Sequence, residues 1–302
     1  ELSPIQEDKV ALRAEQPERF PTPRKRKPAA ILPAVLNHVV LIGLGWLFIL
    51  PIVWMISTSL KSNGQIVEWP PTWIPKPFVP QNYTGALEAA PLGTYALNTL
   101  TITALSVLGA LISNPIIAYG LSRLKWRGRE LVFYITLGTL MLPFQVTMIP
   151  LFVMFSHLGW VNTFLPLIVP CFFGNAFFIF FLRQIYFSIP EELSEAARVE
   201  GASDLQILWH IILPLARPAL LTIALFQFLA SWNDFLGPLL YLNDDSKFTL
   251  ALGLANMQSA LGLSDFGQIM AAASMVAFPA ILIFMLAQRY FIEGIASTGL
   301  KG

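Results

Sequence analysis

The sequence predicts an all-α polytopic membrane protein of six transmembrane helices, on three observations. Hydrophobic residues make up 55% of the 302 and charged residues only 12%, about half the charged share of an average soluble domain. Six apolar stretches each supply the roughly 20 residues that a helix needs to cross a hydrocarbon core. Lys and Arg alternate in abundance between the loops on either side of those stretches, which is the charge asymmetry that orients membrane proteins.

Residues 1–31 are rich in charge and proline and read as a disordered basic tail. Arg24, Lys25, Arg26 and Lys27 precede a full-length apolar span rather than a short apolar core with a cleavage site. That span is therefore expected to stay in the membrane. In order, the spans are His38–Ser59, Tyr95–Leu121, Leu131–Phe155, Phe164–Leu182, Ala219–Leu242 and Ile269–Ala287. No Asp, Glu, Lys or Arg falls between Leu131 and Leu182, so this run is two spans, turned at Ser156, His157, Gly159 and Asn162. The connection from Leu60 to Thr94 carries Pro70, Pro71, Pro75, Pro77 and Pro80 and reads as stiffened and extended, suited to an external partner. Phe248–Leu263 is only moderately apolar. Its Gly253, Asn256, Gln258 and Gly262 make it a poor span, and it reads as an external loop or short re-entrant helix.

Sixteen of the nineteen basic residues fall in one set of loops, leaving Lys61, Lys76 and Lys247 in the other. The asymmetry predicts that both termini are cytoplasmic. The four basic residues ahead of the first span need no nucleic-acid partner, because topology and attraction to anionic phospholipid account for them.

Several chemistries are excluded. Cys171 is the lone cysteine, which rules out an internal disulfide and a thiolate metal site and leaves an apolar packing residue. No Gly-Lys pair occurs, so the chain has no phosphate-binding loop of the Walker type. His38, His157 and His210 lie in three separate regions, without the spacing of a metal site or a hydrolytic triad.

The loop 187–214 predicts two helices with a break. Ser188 with Glu191 fits a capping box and Pro190 suits a first turn. Gly201 can supply a left-handed terminus, Ser203 or Asp204 can cap the second helix, and Pro214 stops it. Any large loop needs caps and breakers, and Ala196 and Ala197 by themselves only favour helix. The joint spacing is more informative: Glu195-Ala196-Ala197, three residues, Gly201, nine residues, then Ile211-Ile212-Leu213-Pro214.

This spacing resembles the loop signature of ATP-binding-cassette (ABC) importer permeases. The resemblance implies the ABC importer type I permease fold over residues 32–302. It also implies a coupling role for Glu195, Ala196, Ala197, Glu200, Gly201, Leu213 and Pro214, in short helices that dock into a separate ATPase. Glu200 departs from the Asp common in relatives but keeps the charge. Pro80-Gln-Asn-Tyr83, Leu142-Pro-Phe-Gln-Val-Thr-Met-Ile-Pro150, Leu158-Gly-Trp-Val-Asn-Thr163, Ser231-Trp-Asn-Asp234 and Gly299-Leu-Lys-Gly302 are similar to the sugar-uptake branch, in its maltose-permease G-type subunit. That likeness implies a transport subunit, not an enzyme, in a bacterial or archaeal cell membrane. Its implied partners are a homologous second permease, two ABC ATPase subunits that bind ATP and Mg, an extracytoplasmic solute-binding protein, membrane lipid and a sugar. No cofactor belongs to this chain.

Sugars need amide and hydroxyl partners for their hydroxyls and aromatic faces for their apolar patches. Asn98, Gln145, Asn175, Gln227, Trp232, Asn233 and Asp234 are the candidates in the spans, although each taken singly also suits interhelical hydrogen bonding. Asp234 is the formal charge placed within a span, roughly 22 Å from its inner edge by helical rise. It reads equally as a partner of Asn233 or a neighbouring helix and as a pathway or gating residue. Gln145 and Thr147 lie between Pro143 and Pro150, where the third span is expected to be kinked or unwound. Other readings are a permease for an osmolyte, polyamine or peptide, and a proton- or sodium-driven secondary transporter. The latter predicts acidic or histidine relays near the midplane and repeated broken helices, of which Asp234 alone is a trace.

Overall fold

The computed structural model describes residues 31–262 and 264–299. The predicted basic tail ahead of Ile31 and the end of the terminal motif, residues 300–302, lie outside the described residues. Helices of nine or more residues are α1 (Ile31–Ser59), α2 (Gln81–Ala89), α3 (Leu92–Ser122), α4 (Arg129–Gly138), α5 (Phe144–His157), α6 (Ala176–Ser188), α7 (Glu191–Val199), α8 (Arg217–Trp232), α9 (Leu250–Leu261) and α10 (Phe266–Gly299). The chain divides into two units, Glu1–Ile52 and Val53–Gly302.

Among the described residues three spans run through as single helices, Val35–Ser59, Leu92–Ser122 and Phe266–Gln288, and the stretch Leu165–Ser188 with two bent pairs brings the number to six. In the first unit the side chains of α1 are exposed, Phe48 at 75% and Leu41 at 66%, as expected of a surface solvated by lipid rather than water. Pro51, Pro115 and Pro279 sit inside α1, α3 and α10 without ending them.

In the second unit α3 is central. One core joins it to α6, α8 and the 187–214 loop through Ala118, Tyr119, Leu182, Tyr186, Ile207, Ile212 and Ile223. Another joins its start, at Tyr95, to α2, α8, α9 and α10 through Ala86, Trp232, Met257, Ala271 and Ala272. A small cluster of Leu121, Phe133 and Ile179 ties in α4.

Three spans are not straight: the third is kinked, as its prolines predict, and the fourth and fifth break where the sequence predicts continuous helices. The third bends by 101° between Arg129–Met141 and Phe144–His157. The break falls at Leu142, extended because a proline follows it, so Gln145, Thr147 and Pro150 all lie within α5 rather than in an unwound stretch. The fourth is interrupted at Gly174, φ 93°, between a 3₁₀ turn (Val169–Phe173) and α6. The fifth stops at Trp232 rather than Leu242, and a short helix, Leu236–Tyr241, follows. Asp234 therefore lies in a break and not inside a continuous helix.

The Gly174 break is tolerable because α3 satisfies the backbone it frees. Ser106 Oγ donates to Leu167 O at 3.2 Å, Ser113 Oγ to Cys171 O at 3.0 Å, and Asn114 Oδ1 accepts from Asn175 N at 2.7 Å. Asn175 in turn caps α6, its Oδ1 accepting from Phe177 N at 2.9 Å and Phe178 N at 3.3 Å.

The Pro-rich connection is folded rather than extended. The Gln65 side chain donates to Thr72 Oγ1 (2.9 Å) and Ile74 O (3.1 Å) and accepts from Lys76 N (3.0 Å). Phe248–Leu263 contains α9, too short to cross a membrane. Thr249 caps it, Thr99 Oγ1 accepts from Leu250 N at 2.8 Å, and Gly253 leaves room for the Tyr95 ring, which any Cβ there would overlap. In the 156–162 turn, Asn162 takes φ 61° and its Oδ1 accepts from Asn243 N (3.2 Å) and Asp244 N (3.1 Å).

Candidate functional site

Two features stand out, an exposed helical elbow and a polar cavity. The elbow begins at α7, whose N-cap is Pro190 with no side-chain bond. Ser188 donates instead to Ile185 O at 2.7 Å, so the capping box predicted with Glu191 does not form. Glu191 and Glu192 in the first turn and Arg198 in the last complement the helix dipole. At the other end Gly201 N donates to Arg198 O (3.0 Å) and Ala202 N to Ala197 O (2.9 Å) around Gly201 at φ 88°. That pairing is a Schellman terminus, which requires a left-handed residue. Ser203 and Gln206 then form a reciprocal capping box on Asp204–Ile207.

A π-turn, Leu208–Ile212, comes next and carries the helix into Leu213–Leu215. Pro214 offers no N–H and its ring crowds the preceding turn, and the wider π-turn accommodates both. The stop predicted at Pro214 therefore comes later, at Ala216, where the chain bends by 80° into α8.

Polar anchors hold the elbow to α3. Arg198 pairs with Asp204 across the Gly201 turn at 3.0 Å, which keeps the guanidinium above its ordinary pKa range, and Tyr119 Oη donates to the same carboxylate at 3.4 Å. Arg123 is buried, a location that lowers its pKa, and it donates to the backbone oxygens of Tyr186 and, at 2.5 Å, Ile189. Arg183 meets both Glu130 oxygens at 2.7 and 2.8 Å and lies 3.9 Å over the Phe133 ring. Basic residues that the sequence marks only as topology signals thus also pin helix ends.

Of the predicted coupling residues, Glu195, Ala196, Glu200 and Gly201 are exposed, while Ala197, Leu213 and Pro214 are half-buried. Glu200 and Gly201 rim a notch of about 350 Å³ with Gln206, His210 and Ile211. Large apolar side chains face outward beside it: Val199 is 89% exposed, Leu205 60% and Trp209 54%.

The second feature is an open cavity of about 570 Å³ lined by α5, the broken fourth span, α8 and the Leu236–Tyr241 helix. Asn175, Gln227, Ser231 and Asp234 form its polar wall, and Phe144, Phe155 and Tyr241 are its aromatic side. Gln227 Nε2 donates to Ser231 Oγ at 2.9 Å, and Asp234 Oδ1 accepts from Gly237 N at 3.1 Å. Of the seven predicted pathway residues the cavity gathers Asn175, Gln227 and Asp234. Asn98 is held elsewhere, donating to Ser246 O (2.9 Å) and Phe248 O (3.0 Å). Trp232 is a core residue bonded to Val276 O (3.2 Å), and Asn233 bonds back to Leu229 O (2.8 Å). Gln145 is exposed on α5, outside the cavity lining. Ser231 and Tyr241 were missed, although Ser231 is one helical turn beyond Gln227 and so shares its face. Among the described residues, no three His, Cys, Asp or Glu side chains are grouped to hold a metal.

Broken spans around a polar cavity, with a helical elbow at one end, define a multi-pass membrane transport subunit. Comparison with known proteins makes this specific. Residues 106–297 match the family described as the binding-protein-dependent transport system inner membrane component. The chain is 32% identical over 268 residues, 88% of each protein, to the diacetylchitobiose uptake system permease protein NgcG of Streptomyces coelicolor. It is 32% identical over 90% of its length and 98% of the relative to the trehalose/maltose transport system permease protein MalG of Thermococcus litoralis. Its fold is similar to a crystal structure of a bacterial ABC transporter involved in import of the acidic polysaccharide alginate, with TM-score 0.75 and 28% identity over 88% of this chain and 98% of that one. The chain belongs to the family of binding-protein-dependent ABC transporter permeases, and it is a transport subunit rather than an enzyme.

Proposed function

We propose that the chain is the permease subunit of an ATP-driven, binding-protein-dependent importer of a sugar or oligosaccharide, with the elbow as the point where an ATPase acts. The elbow at Gly201 carries this reading. Apolar side chains as exposed as Val199, Leu205 and Trp209 are costly at a water-facing surface and mark a docking face. Glu195, with Ala196 beside it, offers a carboxylate and close backbone approach, and Glu200 and Gly201 rim the notch. Ala197, Leu213 and Pro214 seat the elbow against the spans.

The partners are those of the family: a second, homologous permease, two ATPase subunits that bind ATP and Mg, and an extracytoplasmic solute-binding protein. The distribution of basic residues supports an elbow and two termini on the cytoplasmic side. Residues 1–31 are then a basic tail and 32–302 the permease domain. Nucleotide-driven motion at the elbow shifts the bundle between two openings. The cavity walled by Asn175, Gln227 and Asp234 is the passage for substrate, and the relatives that import diacetylchitobiose and trehalose or maltose support a sugar.

The test is Gly201→Trp in the importer assembled from all its subunits. The bulky variant is expected to insert normally and lose the ATPase stimulation that the loaded binding protein provides. Coupled uptake at the native rate in that variant would remove the elbow from the mechanism. Uptake that survives ATP depletion and collapses with an uncoupler would make the chain a secondary transporter.

A further inference from the structure

The composition of the cavity lining bears on which sugars it suits. Asp234 is the one ionisable carboxylate in its lining, and no Lys, Arg or His lines it. The carboxylate is held in place: the backbone N–H of Gly237 bonds to Oδ1 at 3.1 Å, and a Cβ at position 237 would overlap Oδ2. Gly237 therefore lets the carboxylate sit flat on the turn while staying part of the cavity wall.

A fixed carboxylate accepts hydrogen bonds from hydroxyl and ammonium groups, and these are stronger than bonds between neutral groups. The same carboxylate repels a carboxylate or phosphate on the passing molecule. No basic residue of this chain in the lining offsets that repulsion. On the aromatic side, Phe155 and Tyr241 are buried, packed edge to face with rings 5.5 Å apart, and the exposed Phe144 is the ring that suits the apolar face of a pyranose.

We propose that Asp234 makes the cavity selective against anions, so that the chain passes neutral or amine-bearing sugars and turns away carboxylated and phosphorylated ones. The inference rests on the cavity being the substrate passage. It separates this chain from the related importer of acidic alginate, with which it shares a fold.

The experiment uses Cys171, the chain's lone cysteine, which is half-buried, lines the same cavity and accepts from Gln227 Nε2 at 3.6 Å. In the importer assembled with cysteine-free partner subunits, Cys171 is modified with cationic, neutral and anionic methanethiosulfonates. Each rate is normalised to that of a free thiol. The cationic reagent is expected to be favoured over the anionic one by about tenfold, a field effect that rising salt weakens. Asp234→Asn, which keeps the acceptor for Gly237 N, should bring the ratio near one without lowering the melting temperature. Equal rates in the native chain, a ratio unchanged in Asp234→Asn, or a Cys171 that no reagent reaches would each overturn the proposal.

A second arm measures ATPase stimulation by the binding protein with maltose, diacetylchitobiose or an alginate oligosaccharide. Stimulation and uptake with the alginate oligosaccharide in the native importer would overturn anion exclusion. A tenfold charge preference with no stimulation by any carbohydrate would instead sink the sugar assignment and leave the electrostatics of the cavity standing.

Discussion

Asn114 Oδ1, in the second half of α3, accepts the backbone N–H of Asn175 at 2.7 Å, so one span's side chain closes a break in another. Asn114 is fully buried and its Nδ2 donates to Ala110 O at 2.8 Å. Asn114→Leu would strand the Asn175 N–H in an apolar setting, a cost of about 1–3 kcal/mol. The expected result is a melting temperature lower by several degrees in detergent. Ser106→Ala should cost less, because the Leu167 carbonyl it serves has a second lone pair and lies within a helical turn. Equal melting of both variants and the native chain would mean that water satisfies the break instead.

Arg123 is expected to be more sensitive than its position beside a loop suggests. Its guanidinium reaches the carbonyls of both Tyr186 and Ile189, where α6 ends and the elbow begins. Lysine keeps the charge but not the planar fork, so Arg123→Lys should cost about 2 kcal/mol of stability. In the assembled importer it should also raise basal ATPase and reduce the stimulated fraction, because α6 then holds the elbow less firmly. Native stimulation with only a lower melting temperature would confine Arg123 to folding.

The apolar stretches, the turn at 156–162 and the Gly201 and Ser203 signals were legible in the sequence because each is local: a window of hydropathy, or a cap within four residues. The breaks at Gly174 and after Trp232 were not. A span reads as continuous when its polar atoms are few, and whether a break is tolerable depends on partners such as Ser113 and Asn114, which lie 58 and 61 residues away from theirs. Pro150 and Pro214 misled for the converse reason: helix neighbours and a π-turn absorbed them. Asn98, Gln145, Trp232 and Asn233 were candidates by residue type, and their actual partners are set by tertiary contacts that type does not reveal.

Asn162 separates backbone from side-chain effects. It adopts φ 61°, and its side chain accepts from Asn243 N and Asp244 N while its carbonyl accepts from Lys247 Nζ at 2.9 Å. Asn162→Gly keeps the left-handed backbone and loses the two acceptor bonds, costing about 1 kcal/mol. Asn162→Ala adds backbone strain of about 1–2 kcal/mol to the same loss. Melting should fall in the order native, Gly, Ala, and a reversal of the last two would show that the conformation is not enforced.

Gly201 allows strain to be separated from contact in the same manner, with function as the readout. Nothing lies within 4 Å of a Cβ built at this position, so the obstacle to substitution within the chain is φ 88° alone. Asn enters the left-handed region readily, whereas Val, β-branched, is a genuine outlier there. If the glycine serves only the Schellman turn, Gly201→Asn should retain stimulated ATPase and Gly201→Val should lose it together with stability. If an ATPase packs against the backbone at the notch shared with Glu200 and Gln206, Asn should be lost as well, with melting of the isolated subunit unchanged. The expected outcome is the second, because conformation alone gives no reason for Val199 and Trp209 to stand exposed beside a turn that is complete without them.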